Sequence, residues 1–303
     1  MNQDDIVKLL RSPGVLKPLR LENHATLVTG DGETFPIRDG IYCLLKQEEM
    51  GKDLGDDCFY EKNPFGLRDW SNPQEVEAGV EVDFKRFVAD APKDARIADV
   101  GAGTGRISNY LGMQGFTHVF SIDYSLNSLK MIQEHSPNTC VWGNNLHLPL
   151  ADGVFDIVIS TGVIHHTPDP EKAFAECARI LKPGGRFYFK TRNIHSPYGY
   201  LFHTYGAALR FCEARKSLRF LSNWFGFGVY KLTRKVFYSH LPKFDDDVLR
   251  GKYENLFIKK LITFFGNGKI KKMIRTNDLQ VVSAKKSSFT HRQHFYILTK
   301  PAS

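Results

Sequence analysis

Three glycines at alternate positions, Gly101, Gly103 and Gly105, stand between an apolar run ending at Val100 and a helix-forming stretch. Glycine at this spacing lets the backbone turn tightly and approach a ligand closely, while the following helix offers N–H groups at its amino end. Dinucleotide-binding enzymes share the pattern, so it indicates a ligand site before it indicates a particular ligand. Other residues with chemistry to offer are Asp123, after the next apolar run, and the adjacent His165 and His166, after a later one. Neutral histidine can take a proton from a reacting group. Adjacent histidines lacking a nearby Asp, Glu or Cys partner make a poor metal signature, and no metal site is expected.

The elements that must hold these residues follow a strand-then-helix alternation. Strands are expected at Ile97 to Val100, His118 to Ile122, Thr139 to Trp142, Phe155 to Ser160 and Arg186 to Lys190. Helices are expected at Gly105 to Met113, Ser125 to Glu134 and Pro170 to Leu181, the last stopped by Lys182-Pro183-Gly184-Gly185. The nearly continuous apolar character of 155–160 is that of a parallel strand covered on both faces. A helix near Gly268 to Thr276 and strands at Leu279 to Ala284 and His294 to Leu298 then complete the sheet with an antiparallel edge. The fold class is α/β: a Rossmann-like, seven-stranded, mostly parallel sheet with an antiparallel last strand, a small amino-terminal unit and a largely helical cap insertion.

Residues 1–50 read as a small unit with a short helix and brief strands, little core of its own, and packing on the main domain. Residues 51–90 read as a linker and a helix, Pro73 to Ala89, that cover the ligand site, with Tyr60 among the aromatics placed against the substrate. The ligand-binding domain takes residues 91–191 and 268–303, and residues 192–267 form the insertion, on the side where open α/β sheets bind ligands.

The net charge of +8 is localised: residues 192–272 hold sixteen Lys/Arg against five Asp/Glu, and seventeen Phe/Tyr/Trp. A positive, aromatic segment suits an apolar acceptor with an anionic group, a helical core, or a membrane interface. Stacked nucleic-acid bases would use a similar composition, but no RNA-binding module is evident. No apolar window is long enough for a membrane span, and 1–30 lacks the apolar segment of a secretory signal, so the expected location is cytoplasmic or peripheral to a membrane. Five scattered cysteines without a CxxC pair read as free thiols.

Taken in order, five segments resemble the class I S-adenosylmethionine (SAM)-dependent methyltransferase family, in its ubiquinone/menaquinone-methyltransferase-like branch. They are Asp99-Val100-Gly101-Ala102-Gly103-Thr104-Gly105; Asp123 with Tyr124; Gly143-Asn144-Asn145-Leu146-His147-Leu148-Pro149-Leu150; Phe155 to Val158 through Thr161 and His165-His166; and Leu181 to Gly185. The resemblance implies SAM as cofactor, leaving as S-adenosylhomocysteine. Asp123 would then accept both ribose hydroxyls, and Asp99 would lie near the methionine ammonium or instead cap or organise the glycine turn. Asn144, where the family commonly has Asp, and Asn145 would lie near adenine, with Thr161 facing the methionine end. His165, His166, His195 and Tyr198 are the candidate proton acceptors, and His203, Trp224 and Phe225 the candidate substrate contacts. Leu10 to Val15 and Val28 to Gly32 resemble a small zinc-ribbon-like domain whose ligand positions here are Ser12, Val15, Thr29 and Gly32, without the cysteines.

The function so implied is methyl transfer to O, N or C of a small, lipophilic or aromatic acceptor. An RNA methyltransferase is a second reading. A SAM-binding regulatory or assembly protein without transfer activity is a third.

Overall fold

Apolar runs on either side of the glycine turn become the centre of one sheet. The computed structural model describes residues 1–46, 70, 72–237, 246–254, 262–285 and 293–302. Contacts divide the chain into two units, one comprising Met1–Thr191, Gly268–Lys285 and Phe295–Ser303, the other Arg192–Asn267 and Lys286–His294.

In the first unit, α1 (Gln3–Leu9) precedes the short strands β1 (Leu19–Leu21), β2 (Thr26–Thr29), β3 (Thr34–Arg38) and β4 (Ile41–Cys43). Helices α2 (Pro73–Gly79) and α3 (Val82–Val88) lead into the alternation β5 (Arg96–Val100), α4 (Arg106–Met113), β6 (His118–Asp123), α5 (Leu126–His135), β7 (Thr139–Trp142), β8 (Phe155–Thr161), α6 (Pro170–Ile180) and β9 (Leu181–Arg192). After the insertion, α10 (Asn267–Thr276), β10 (Gln280–Lys285) and β11 (Gln293–Thr299) return the chain to the sheet. The strand order is β1-β2-β3-β4-β7-β6-β5-β8-β9-β11-β10. Strands β4 to β9 pair in parallel along that order, and β10 pairs antiparallel with β11. The mostly parallel sheet with an antiparallel end is as expected from the sequence.

Two features differ from the sequence expectation. The amino-terminal unit does more than pack on the main domain: β4 lies parallel to β7, with Tyr42 opposite Val141, so β1 to β4 extend the sheet to eleven strands. Ser12 and Thr29 bond within their turns, Ser12 Oγ accepting from the Lys17 N–H at 3.1 Å and Thr29 Oγ1 from the Glu33 N–H at 2.9 Å. The expected single helix from Pro73 is broken, because Val80 and Glu81 are extended. Gly79 is a weak helix former, and the break lets Glu81 pair with Lys190 while the Gly79 carbonyl accepts from Arg106.

Packing follows the alternation of the strands. Ile97, Ile157, Ile159 and Tyr188 point from the sheet into a core with Val76, Phe84, Phe87, Ile107 and Leu111. Phe84 meets Tyr188 edge-on at 5.0 Å. This core sets α2 to α4 beside the carboxyl ends of β5 and β8, where the chemistry-bearing residues lie.

In the second unit, α7 (Pro197–Glu213), α8 (Phe227–Phe237) and α9 (Asp246–Tyr253) surround Phe202, Leu209, Phe227, Leu249, Tyr253 and Phe264. Phe202 stacks on Phe264 at 4.5 Å. Between α7 and α8 the backbone forms a π-helical turn, Leu221–Gly226. No helix among the described residues is long and apolar enough to cross a membrane.

Candidate active site at the carboxyl ends of the central strands

The turn from β5 to α4 uses glycine where no other residue fits. Gly101 has φ +76°, and a Cβ there would drive into both methyls of Val163. Gly105 has φ +95°, and a Cβ would stand 2.8 Å from Ile132. Both positions combine a left-handed backbone with close packing, which excludes side chains twice over.

The amides of this turn are engaged within the protein. The N–H groups of Gly101 and Ala102 both donate to the Ile122 carbonyl, at 2.8 and 3.0 Å, and that of Gly105 donates to the Ala102 carbonyl at 3.1 Å. The Gly103 N–H donates to Asp123 Oδ2 at 2.7 Å, and the Ser125 N–H to Asp123 Oδ1 at 2.8 Å. Asp123 therefore joins the glycine turn to the start of α5, remaining half-buried at the end of β6. Both carboxylate oxygens therefore act as acceptors at the end of β6.

Asp99 is 2% exposed and lies beneath the turn. It accepts from Ser108 Oγ at 2.8 Å; Ser121 Oγ donates to Ser108 Oγ at 2.8 Å, and Asn138 donates to the Ser108 carbonyl at 3.0 Å. Burial pushes its carboxyl up to about 6, opposed by the Ser108 bond and the nearby Arg106 charge. The sequence reading gave Asp99 two roles, a place near a ligand ammonium or the organising of the glycine turn; the bond to Ser108 ties it to α4, which follows that turn.

Thr104 is buried and accepts from Trp70 Nε1 at 3.0 Å. Arg106 reaches from the first position of α4 to the Gly79 carbonyl at 3.2 Å and to Thr161 Oγ1 at 3.3 Å. One guanidinium thus ties the end of α2 to the end of β8. Glu81 and Lys190 pair beside it, Lys190 being opposite Thr161 in register. Glu81, Arg106 and Lys190 were not singled out from sequence, and Trp70 was one of the aromatics of 51–73 expected to cover part of a pocket. The signal for Arg106 was its place at the start of a helix next to a glycine turn; for the others only the fold brings them near.

Past β7, Asn144 turns its side chain into its own loop, Oδ1 accepting from the Leu146 N–H at 2.9 Å. Asn145 Oδ1 is buried without a hydrogen-bond partner among the described residues. Tyr124 is half-buried, and its carbonyl accepts from Trp142 Nε1 at 2.8 Å.

The two histidines have different settings. His165 is buried, with Nδ1 3.2 Å from Thr191 Oγ1, whereas His166 is half-buried on the same short 3-10 turn, its ring 4.3 Å from that of His165. His165 is held as part of the interior, whereas part of His166 reaches the surface.

Among the remaining candidates, Tyr60 and the side chain of Tyr198 lie outside the described residues. His195 and His203 belong to the second unit. His195 is exposed, its N–H donating to Asn193 Oδ1 at 2.9 Å, and His203 is half-buried, edge-on to Phe264 at 6.1 Å. Trp224 and Phe225, expected to line an acceptor pocket, are 80% and 57% exposed. The π-helical turn explains this: it directs Ser222 and Gly226 inward, against Glu213 and Tyr253, and leaves the two rings on the outside.

Residues 98–189 match the family described as Methyltransferase domain. Mus musculus "Probable tRNA methyltransferase 9B" is 35% identical over 105 residues, 34% of this chain and 23% of that protein. Ubiquinone biosynthesis O-methyltransferase of Bordetella avium is 32% identical over 126 residues, 40% of this chain and 52% of that protein. The chain thus spans from under a quarter to about half the length of these relatives. Among solved structures, the PH0226 protein from Pyrococcus horikoshii aligns with a TM-score of 0.49 and 16% identity, over 76% of this chain and 93% of that one. Residues 98–189 therefore carry a methyltransferase domain, and SAM is the cofactor consistent with it.

Proposed function

From that domain we propose that the protein transfers the methyl group of SAM to a small, lipophilic acceptor. One observation carries the choice of ligand. A pyrophosphate-binding glycine turn needs free N–H groups, yet those of Gly101, Ala102, Gly103 and Gly105 are bonded within the protein. The Asp123 carboxylate sits on the turn and Asp99 lies beneath it, which disfavours an anion there. A cofactor with a ribose, no phosphate and a cationic sulfonium and ammonium fits these groups; a dinucleotide does not.

The residues present supply roles for such a cofactor. Asp123, a half-buried carboxylate beside the glycine turn, would accept the ribose hydroxyls, and the buried Asn145 Oδ1 is a polar group for the adenine end. SAM, when bound, supplies an electrophilic methyl group that needs an electron-rich atom aligned behind it. Of the chain's own groups, His166 takes a proton from the acceptor, His165 and Thr191 fix the ring beside it, and Arg106 holds α2 against β8 to keep water from the reacting atoms. The lipophilic acceptor is supported by relatives named for ubiquinone biosynthesis.

Titration calorimetry tests the reading. We expect saturable binding of SAM and S-adenosylhomocysteine and none of NAD. Asp123→Ala should weaken SAM about tenfold or more, the value of a hydrogen bond to a charged group. Unchanged affinity in that variant would remove the ribose assignment, and NAD binding tighter than SAM would overturn the choice of cofactor.

A further inference from the structure

Six of the twelve exposed large hydrophobic side chains among the described residues fall between Tyr200 and Leu232, all in the second unit. The most prominent surround the π-helical turn: Phe220 is 62% exposed, Trp224 80% and Phe225 57%. A π-helix completes a turn in between four and five residues, so positions 220, 224 and 225 share one face. Ser222 and Gly226 occupy the opposite face and are buried. Each ring left in water here is a loss that burial would recover, and clustering makes the loss contiguous.

Charge accompanies this face. From Arg192 to Phe237 the sequence has eight Lys/Arg and a single acid, Glu213. That acid accepts from Ser222 and pairs with Arg219 at 2.9 Å, so it presents little negative charge outward. Arg215 lies over the Phe211 ring at 3.5 Å, and Lys216 is exposed on the same connection. Cations bordering protruding aromatic rings match an interface where phosphates lie above hydrocarbon.

We infer that this face of the second unit docks on an anionic lipid bilayer, with Phe220, Trp224 and Phe225 entering the interface and Arg215 and Lys216 meeting lipid phosphates. Two other occupants fit less well. A second copy in a two-fold contact would bring the same cations together. Single-stranded nucleic acid gains from stacking on rings, but gains nothing from Leu232, which is 62% exposed on the following helix. Membrane docking is independent of the methyl-transfer reading, since it involves neither the glycine turn nor Asp123.

The test is sedimentation of the full chain with vesicles, either phosphatidylcholine alone or an equimolar mixture of phosphatidylcholine and phosphatidylglycerol. Binding is expected to the mixed vesicles only, weakening with added salt. Lys216→Gln should lower the partition coefficient about fivefold. Trp224→Ser combined with Phe225→Ser should lower it about tenfold or more, with unchanged circular dichroism and melting because both rings are exposed. Equal binding to both vesicle types, no binding to either, or partitioning indifferent to these substitutions would overturn the inference. So would a double variant that loses RNA binding or self-association in ultracentrifugation while vesicle binding is absent from the parent chain.

Discussion

Asp99 gives the sharpest quantitative expectation, because its carboxyl is fully enclosed and its surroundings are known atom by atom. Its pKa rises from an ordinary 3.8 to about 6, with burial as the leading cause. A difference of that size means that the folded chain holds the proton about 3 kcal/mol more tightly than the unfolded chain does. The folded value being the higher one, the stabilisation is complete below pH 3.8 and disappears as pH rises through about 6. Asp99→Asn keeps the shape and an oxygen acceptor for Ser108 but cannot ionise. Its stability relative to the parent should therefore increase by about 2.4 kcal/mol between pH 4 and 7.5. Urea unfolding at several pH values, followed by circular dichroism, measures the difference directly. Subtracting the two curves cancels the opposite contribution of Asp90 and Asp156, whose carboxyls are lowered. A parent-minus-variant difference that is flat across this range would refute the reasoning. An opposite slope would mean that Arg106 and Ser108 outweigh the burial.

Two further substitutions probe the frame of the site. Gly101→Ala should destabilise the fold by about 3 kcal/mol, from the left-handed backbone and the collision with Val163, and should abolish SAM binding in calorimetry. Adding Val163→Ala should recover only the steric share, which urea unfolding would separate from the backbone share. Arg106→Ala removes the donor that spans Gly79 and Thr161 and should cost about 2 kcal/mol, with faster amide exchange around 79–81 as the signature. Arg106→Lys should not restore protection there, because a single ammonium cannot reproduce the guanidinium fork.

Local sequence carried most of the central architecture. Runs such as Phe155 to Ser160 read as buried strands, the glycines at 101 and 105 permit a left-handed turn, and Asp123 follows from the end of the next strand. What sequence could not show was pairing between distant segments. Nothing in Ile41 to Cys43 announces β7 as its neighbour, since three apolar residues suit many partners. Likewise the break at Val80 and Glu81 depends on Arg106 and Lys190 waiting to receive it. Trp70 read as one aromatic in a turn-rich stretch until the fold set its indole N–H on Thr104. Trp224 and Phe225 failed differently: their apolar character was read as a lining, whereas an uncommon helical phase turned them outward.

The parallel contact between β4 and β7 also orders events in time. During synthesis, β1 to β4 emerge first and can close their antiparallel meander, yet the partner of Tyr42, Val141, is made only after β5 and β6. Until then one flank of that meander is an open row of amides and carbonyls, available to any other extended chain. Long-range parallel pairing forms slowly because its loop must close before any contact rewards it. The exposed flank of the nascent meander is thus the point at which misassembly competes with folding, and the arrival of β7 ends that competition.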